Sequence, residues 1–347
     1  MADRRLRPSR SVGGSWPLVS VIVTTYTDQR LNDVRDLLES LQAQTYPHFE
    51  TVFVGEKLPQ LCDRVSEYAA RLGMSNFRAE FNDGAPGLSH ARNLGVERSS
   101  GQIAAFIDDD ALARPDWLEN VVRVLAEHPE AIGVTGPAYP LWASDSLRWF
   151  PEEFFWILSC PTPGWTGHRQ VGPIRNAWGM NMAFRREAFD YCRFSPAFVG
   201  GNQGAADGSK TGLLGDETEF CLRLTGESGR SILYSPDVQV LHKVYEHRLS
   251  GRFIRRRAFW EGYTKAALGR LHRGQRAGRL SPEMDLLRLI LFRYFPREAA
   301  QSLLRPALGW RRLSLGVSVL MHVALGYGAG RFPGWGRLLA SRYSSSR

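Results

Sequence analysis

Near the start of the chain, Leu18 to Thr25 (LVSVIVTT) carries apolar or β-branched side chains at almost every position. A strand with one wet face alternates polar and apolar residues, so a run without alternation must be covered on both faces. That requirement points to a parallel strand inside a sheet that has helices on each side. The following residues agree. Leu31, Val34, Leu37, Leu38 and Leu41 recur at helical spacing within Leu31 to Gln44, and Thr45-Tyr46-Pro47 closes the helix. A second strand is expected at Phe49 to Val54 and a second helix at Gln60 to Leu72. A third helix is expected over GLSHARNLGVERS, with another strand in QIAAFIDDD. This βαβα order predicts an α/β, doubly wound, mostly parallel sheet, whose ligands sit outside the carboxyl ends of the strands.

Asp108-Asp109-Asp110 lies at one such end. Continued strand alternation would point Asp108 and Asp110 to one side, where two carboxylates can share a hard divalent cation. Three adjacent carboxylates repel one another, and a cation relieves that. The plainer alternative is a solvated turn that caps the next helix, with Asp116 taking part.

Charge narrows the class of partner. The chain has 44 Lys+Arg against 35 Asp+Glu, and the excess is local. Between His242 and Arg279 there are eleven Lys/Arg and two acids, Glu246 and Glu261. No nucleic-acid-binding fold accompanies this basic stretch, so a phosphate-bearing acceptor or an anionic membrane surface fits better. Leu287, Ile290, Leu291, Tyr294 and Phe295 make a helical apolar stripe beyond it, and Leu313 to Gly330 is free of charge. Peripheral membrane association is expected over a true span. Cys62, Cys160, Cys192 and Cys221 are widely spaced and lack a CxxC, which argues against zinc and for a reducing compartment. No apolar stretch follows the basic N-terminus, so a cytoplasmic protein at the inner membrane surface is expected. The expected organisation is a disordered basic segment at 1–16, a catalytic domain at 17–250 and a basic, amphipathic helical segment at 251–340. The catalytic domain divides into a nucleotide-binding half (17–130) and an acceptor half (131–250).

Six segments in order, VSVIVTTY, SLQAQTYPHFE, GLSHARNLG, GQIAAFIDDDA, GMNMAFRREAF and GDETEFCLRL, resemble the family 2 glycosyltransferases, which have the GT-A fold. The resemblance implies an inverting transferase that moves a sugar from a nucleoside-diphosphate sugar to an acceptor hydroxyl. Thr24, Thr25, Tyr26, Arg92 and Asp109 would then face the nucleotide, and Asp108 and Asp110 would hold Mg²⁺ or Mn²⁺. His242 follows the run Val238 to Leu241, where many such enzymes place a histidine near the metal. Asn181 and Met182 fall where the family lines the pocket for donor sugar or acceptor. Glu217 occupies the position of the general base with Asp216 as fallback, and the pair stands in reverse of the family's usual Glu-Asp order. Asp216 with Glu219 also fits a helix N-cap and its capping partner. The second strand departs from the family: Gly55 replaces the first of two acids and leaves Glu56 to contact a base. A UDP-sugar is favoured as donor, with a GDP-sugar possible. The segment from His242 to Ala266 resembles transferases acting on lipid-linked sugars, which implies a glycan or lipid-linked acceptor.

Two other readings compete. A nucleotidyltransferase can share the sheet, but TTYTDQR is no Gly-rich phosphate loop. A catalytically inactive binding protein of the same fold would explain Gly55 and the reversed Asp216-Glu217, but not an intact acidic cluster.

Overall fold

The computed structural model describes residues 16–196, 215–271, 281–332 and Tyr343. The terminal segments and part of the basic stretch after Leu271 lie outside the described residues. The first strand, β1 (Val19–Thr25), pairs in parallel with β2 (Phe49–Glu56) and β4 (Ile103–Phe106), so Val19 stands opposite both Phe49 and Ile103. Its side chains divide by the two-residue period. Val19, Val21 and Val23 enter one core with Leu31, Val34, Leu37 and Leu38 of α1 (Leu31–Gln42), while Ile22 enters a second core. That second core holds Val52, Val54 and Phe106 beneath Ala91 and Val96 of α3 (Leu88–Glu97). The unbroken apolar run therefore does reflect burial on both faces.

The strand β3 (Phe77–Asn82) forms the edge beyond β2, after α2 (Pro59–Arg71). The sequence pattern predicts no strand there. Its Arg78 and Glu80 dilute the signal, as suits an edge strand with one uncovered side. On the other flank the sheet turns antiparallel. β9 (Met182–Arg185) lies between β4 and β6 (Ala131–Thr135), antiparallel to both. β10 (Ser231–Tyr234) runs parallel to β6 and borders β8 (Gly172–Ile174). The order is β3-β2-β1-β4-β9-β6-β10-β8. The helices α4 (Trp117–Glu127), α5 (Pro163–Thr166), α6 (Ala188–Tyr191) and α7 (Asp216–Ser228) connect these strands.

A small second sheet shapes the site. β5 (Ala111–Ala113) and β7 (Ala138–Trp142) flank β11 (Val240–Val244). The expected strand through Asp110 is corrected here: β4 ends at Phe106, and the chain turns at Asp109 and Asp110 before β5. Ala111 N–H donates to the Asp108 carbonyl at 3.0 Å and closes the turn.

The C-terminal helices α8 (Gly251–Leu271), α9 (Ser281–Leu289), α10 (Phe295–Leu304) and α11 (Pro306–Arg331) pack on a third core around Phe150, Phe154, Ile157 and Tyr294. A π-helical turn, Ile290–Tyr294, joins α9 to α10. The α8 and α11 backbones touch. A Cβ on Gly262 would lie 2.1 Å from the Val323 carbonyl, and one on Gly326 would lie 1.9 Å from the Phe259 carbonyl. Glycine is required there by close approach, in the manner of small-residue helix packing. All four cysteines are buried free thiols.

Candidate active site

The carboxyl ends of β1, β2 and β4 open onto one cleft of about 790 Å³, part of which is open to solvent. Thr24, Thr25, Tyr26 and Glu56 line it from the sheet, and Asp108, Asp109 and Asp110 form its floor. Strand pairing brings in the histidine. β11 runs antiparallel to β5 with His242 opposite Ala111, and Lys243 N–H donates to the Asp110 carbonyl at 2.9 Å. His242 Nε2 comes within 3.2 Å of Asp110 Oδ1. One ligand atom each from Asp108, Asp110 and His242 lie within 4.8 Å of one another. Two carboxylates and an imidazole on this scale suit one divalent ion.

The three carboxylates have different surroundings. Burial pushes Asp110 up, but His242, Arg248 and Arg30 outweigh it and hold this carboxyl well below the usual range. Arg248 Nη2 lies 2.5 Å from Asp110 Oδ2, and Arg30 Nη1 is 3.2 Å from the same oxygen. Asp109 is pushed up to about 7 by burial, against the pull of Arg30. It accepts from Thr25 Oγ1 at 2.5 Å and is ion-paired with Arg30. Asp108, partly exposed, is also raised by burial, with Arg92 opposing.

Arg92 is buried and bridges two acids: Nη1 lies 2.6 Å from Asp216 Oδ2 and Nη2 3.5 Å from Asp108 Oδ1. Asp216 is fully buried, and its Oδ1 has no hydrogen-bond partner. The capping box expected from Asp216 and Glu219 does not form. Gly215, at φ +89°, takes the N-cap position, Asp216 begins α7, and Glu219 pairs with Arg223. Glu217, in the same first turn, is half-buried, and its carboxyl is pushed up to about 8 by burial and by the charge of Asp216. The structure thus gives the two acids unlike environments: Asp216 is consumed by Arg92, while Glu217 keeps a high-pKa carboxyl.

Among the described residues, Arg92, Asp216, Glu217, Asn181 and Met182 do not line the cleft; the first three stand behind Asp108. Asn181 is fully buried with its amide spent: Oδ1 accepts from Trp117 Nε1 at 2.9 Å, and Nδ2 donates to the carbonyls of Val238 at 2.7 Å and Pro137 at 3.3 Å. Met182 packs in the core with Phe106 and Phe184. Asn181, just ahead of β9, and Met182, its first residue, both point into packed layers and not to the strand ends. Glu56 does line it, although Oε1 already accepts from Gly87 N–H and Asn82 Nδ2, each at 2.8 Å. A Cβ on Gly55 would lie 2.7 Å from Cys62 Sγ, so the acid usual in the family would fit at that position only if the Cys62 side chain turned aside.

Sequence reasoning missed Arg30, Arg248 and Arg257, which all line the cleft, together with Ile157, Ser159 and Phe253. The basic stretch from His242 hinted at two of the arginines. Nothing in the sequence marked which of its eleven cations would turn inward.

Residues 20–192 match the family described as "Glycosyl transferase family 2". The chain is 33% identical over 260 residues to "Glucosyl-dolichyl phosphate glucuronosyltransferase" of Haloferax volcanii, covering 73% of this chain and 78% of that one. It is 27% identical over 259 residues to "Succinoglycan biosynthesis protein ExoM" of Rhizobium meliloti, covering 72% and 74% respectively. Among solved structures, the mannosyltransferase PcManGT of Pyrobaculum calidifontis, in complex with GDP-Man and Mn²⁺, superposes with a TM-score of 0.58 at 19% identity. The match covers 90% of this chain and 87% of that one. Strand order, cleft and sequence kinship agree: the chain is a GT-A-fold glycosyltransferase and belongs to glycosyltransferase family 2.

Proposed function

We propose that the cleft transfers a sugar, with inversion, from a nucleoside-diphosphate sugar to a hydroxyl of a lipid-linked glycan at a membrane surface. The observation that carries this reading is the convergence of Asp108, Asp110 and His242 at the strand ends, with Arg92 linking Asp108 to the start of α7. A bound Mn²⁺ or Mg²⁺ would be held by those three residues and would stabilise negative charge on the departing nucleoside diphosphate. Thr24, Thr25, Tyr26 and Glu56 form the wall for the nucleoside, and Lys57, whose Nζ lies 5.2 Å from the Tyr26 ring centre, supports that wall. Glu217 takes the proton of the acceptor hydroxyl as its oxygen bonds to the anomeric carbon and the bond to the nucleoside diphosphate breaks. Asp216 positions Arg92. Inversion is supported by family membership, and the roles given to individual residues by their match to the family's segments and by this geometry. The lipid-linked acceptor is supported by the dolichyl phosphate in the name of the Haloferax relative and by the basic, apolar C-terminal helices. Residues 17–250 form the catalytic unit in this reading, and the helices after 250 form its membrane-facing part.

The test is thermal stabilisation of the protein by UDP, GDP and their sugars, each with and without Mn²⁺. One nucleotide should raise Tm only when Mn²⁺ is present, and Asp108→Asn should remove the metal dependence. Asp108 is the better target than Asp110, whose loss would strand the nearly buried Arg248. No shift with any nucleotide in the unmodified protein would overturn the proposal.

A further inference from the structure

The guanidinium groups lining the cleft are not equivalent. Arg30 is bound to Asp109 and Asp110, and Arg248 is bound to Asp110. Arg257, on α8, forms no ion pair among the described residues, and its Nε is buried without a hydrogen-bond partner. Glu261, one turn further on, is held by Lys265 at 3.3 Å and acts on Arg257 only through its field. Arg248 is more than nine-tenths buried, and its Nε is orphaned as well. Buried donors are normally satisfied, so two orphans on one wall describe an acceptor that the protein itself does not supply.

The rest of that wall is apolar. Phe253 lies one turn before Arg257 on the same helix, and Ile157 lines the cleft beside Ser159, which takes a left-handed φ of +57°. The wall therefore offers guanidinium donors, which suit the oxygens of a phosphate, next to surface suited to hydrocarbon. The helix that carries Arg257 also packs against α11, whose outward residues Val317, Met321 and Leu325 are exposed. The helix of the unpaired arginine is thus in contact with a helix that bears an uncovered apolar face.

We propose that Arg257 and Arg248 form an anion subsite for the phosphate of a lipid-borne acceptor, beside the Asp108, Asp110 and His242 cluster that serves the donor and joined to it through the Arg248–Asp110 pair. This inference rests on the transferase reading above. It is tested with the full chain in detergent micelles, by calorimetric titration with farnesyl monophosphate, farnesol and inorganic phosphate. The Mn²⁺-dependent nucleotide shift is measured in parallel. Farnesyl monophosphate should bind at least about tenfold more tightly than either farnesol or inorganic phosphate. Arg257→Gln should weaken it by a similar factor, Arg257→Lys should restore part of the loss, and both variants should keep the nucleotide shift. The proposal is overturned if Arg257→Gln binds farnesyl monophosphate as before, or if farnesol or inorganic phosphate binds equally well. It is also overturned if the variant loses the nucleotide shift instead, which would assign Arg257 to the donor. An unmodified protein that binds farnesyl monophosphate but shows no nucleotide shift would refute the donor reading and leave the phosphate subsite standing.

Discussion

Arg92 shows how one side chain ties two parts of a site together. It is buried between Asp216, which has no exposure, and Asp108 at the cleft floor. Removing it leaves a buried carboxylate without a counter-charge, a loss of roughly 3–5 kcal/mol. Arg92→Leu should therefore lower the urea midpoint strongly, and an unchanged midpoint would show that Asp216 finds another partner. Glu217 invites a different test. Glu217→Gln should keep the metal-dependent nucleotide shift while transfer falls by about 10²-fold or more; surviving activity would move the base to Asp216. A base with a pKa of about 8 is active only when deprotonated. Transfer should thus rise roughly tenfold from pH 7 to pH 9 and level off above, since each pH unit below the pKa removes about a factor of ten. A flat profile over that interval would contradict the raised carboxyl.

At the scale of elements, two pairings decide the molecule's architecture. The short β5–β11 ladder is only three residues long, yet it sets His242 opposite Ala111 and so beside Asp110. The α8–α11 pair depends on missing side chains. Gly326→Leu would drive a Cβ into the Phe259 carbonyl, 1.9 Å away, and neither backbone can yield cheaply. An overpacked helix contact costs typically about 1–3 kcal/mol, so Tm should fall by several degrees. A variant with unchanged Tm would mean that α11 is only loosely attached. The same packing rules out deletion of the last helices as a clean test of membrane binding, because Tyr294, Leu315 and Val319 belong to the third core.

At the scale of the whole molecule, apolar surface and positive charge collect at one corner. Leu303 is 84% exposed, Leu304 85% and Trp310 67%, and exposed Arg305 lies among them. α11 is long and apolar enough to cross a bilayer, with mean hydropathy 1.4 over its most apolar stretch. However, 39% of that stretch is buried against the protein. Such a half-covered helix suits a surface that dips into the headgroup layer. Leu303→Glu, Leu304→Glu and Trp310→Glu together should abolish cosedimentation with anionic vesicles and leave Tm nearly unchanged, because none of the three is buried. Full cosedimentation of the triple variant would refute the docking corner.

The layered α/β fold was legible because burial on both faces leaves an unbroken apolar run, as in Val19 to Thr25, and helical spacing shows the covering layers. The acidic cluster was legible because three adjacent aspartates after a buried strand are costly unless something compensates them. The reach of other side chains was not. Whether Asn181 faces a ligand or three packed neighbours depends on β9 lying between β4 and β6, a pairing between residues some eighty positions apart. Which arginines of the basic stretch line the cleft depends on how α8 lies beside it. Local periodicity therefore determined the layers and the place of the floor. Only tertiary packing, which brings distant strands and helices into register, decided which side chains stand around it and which are left free to bind.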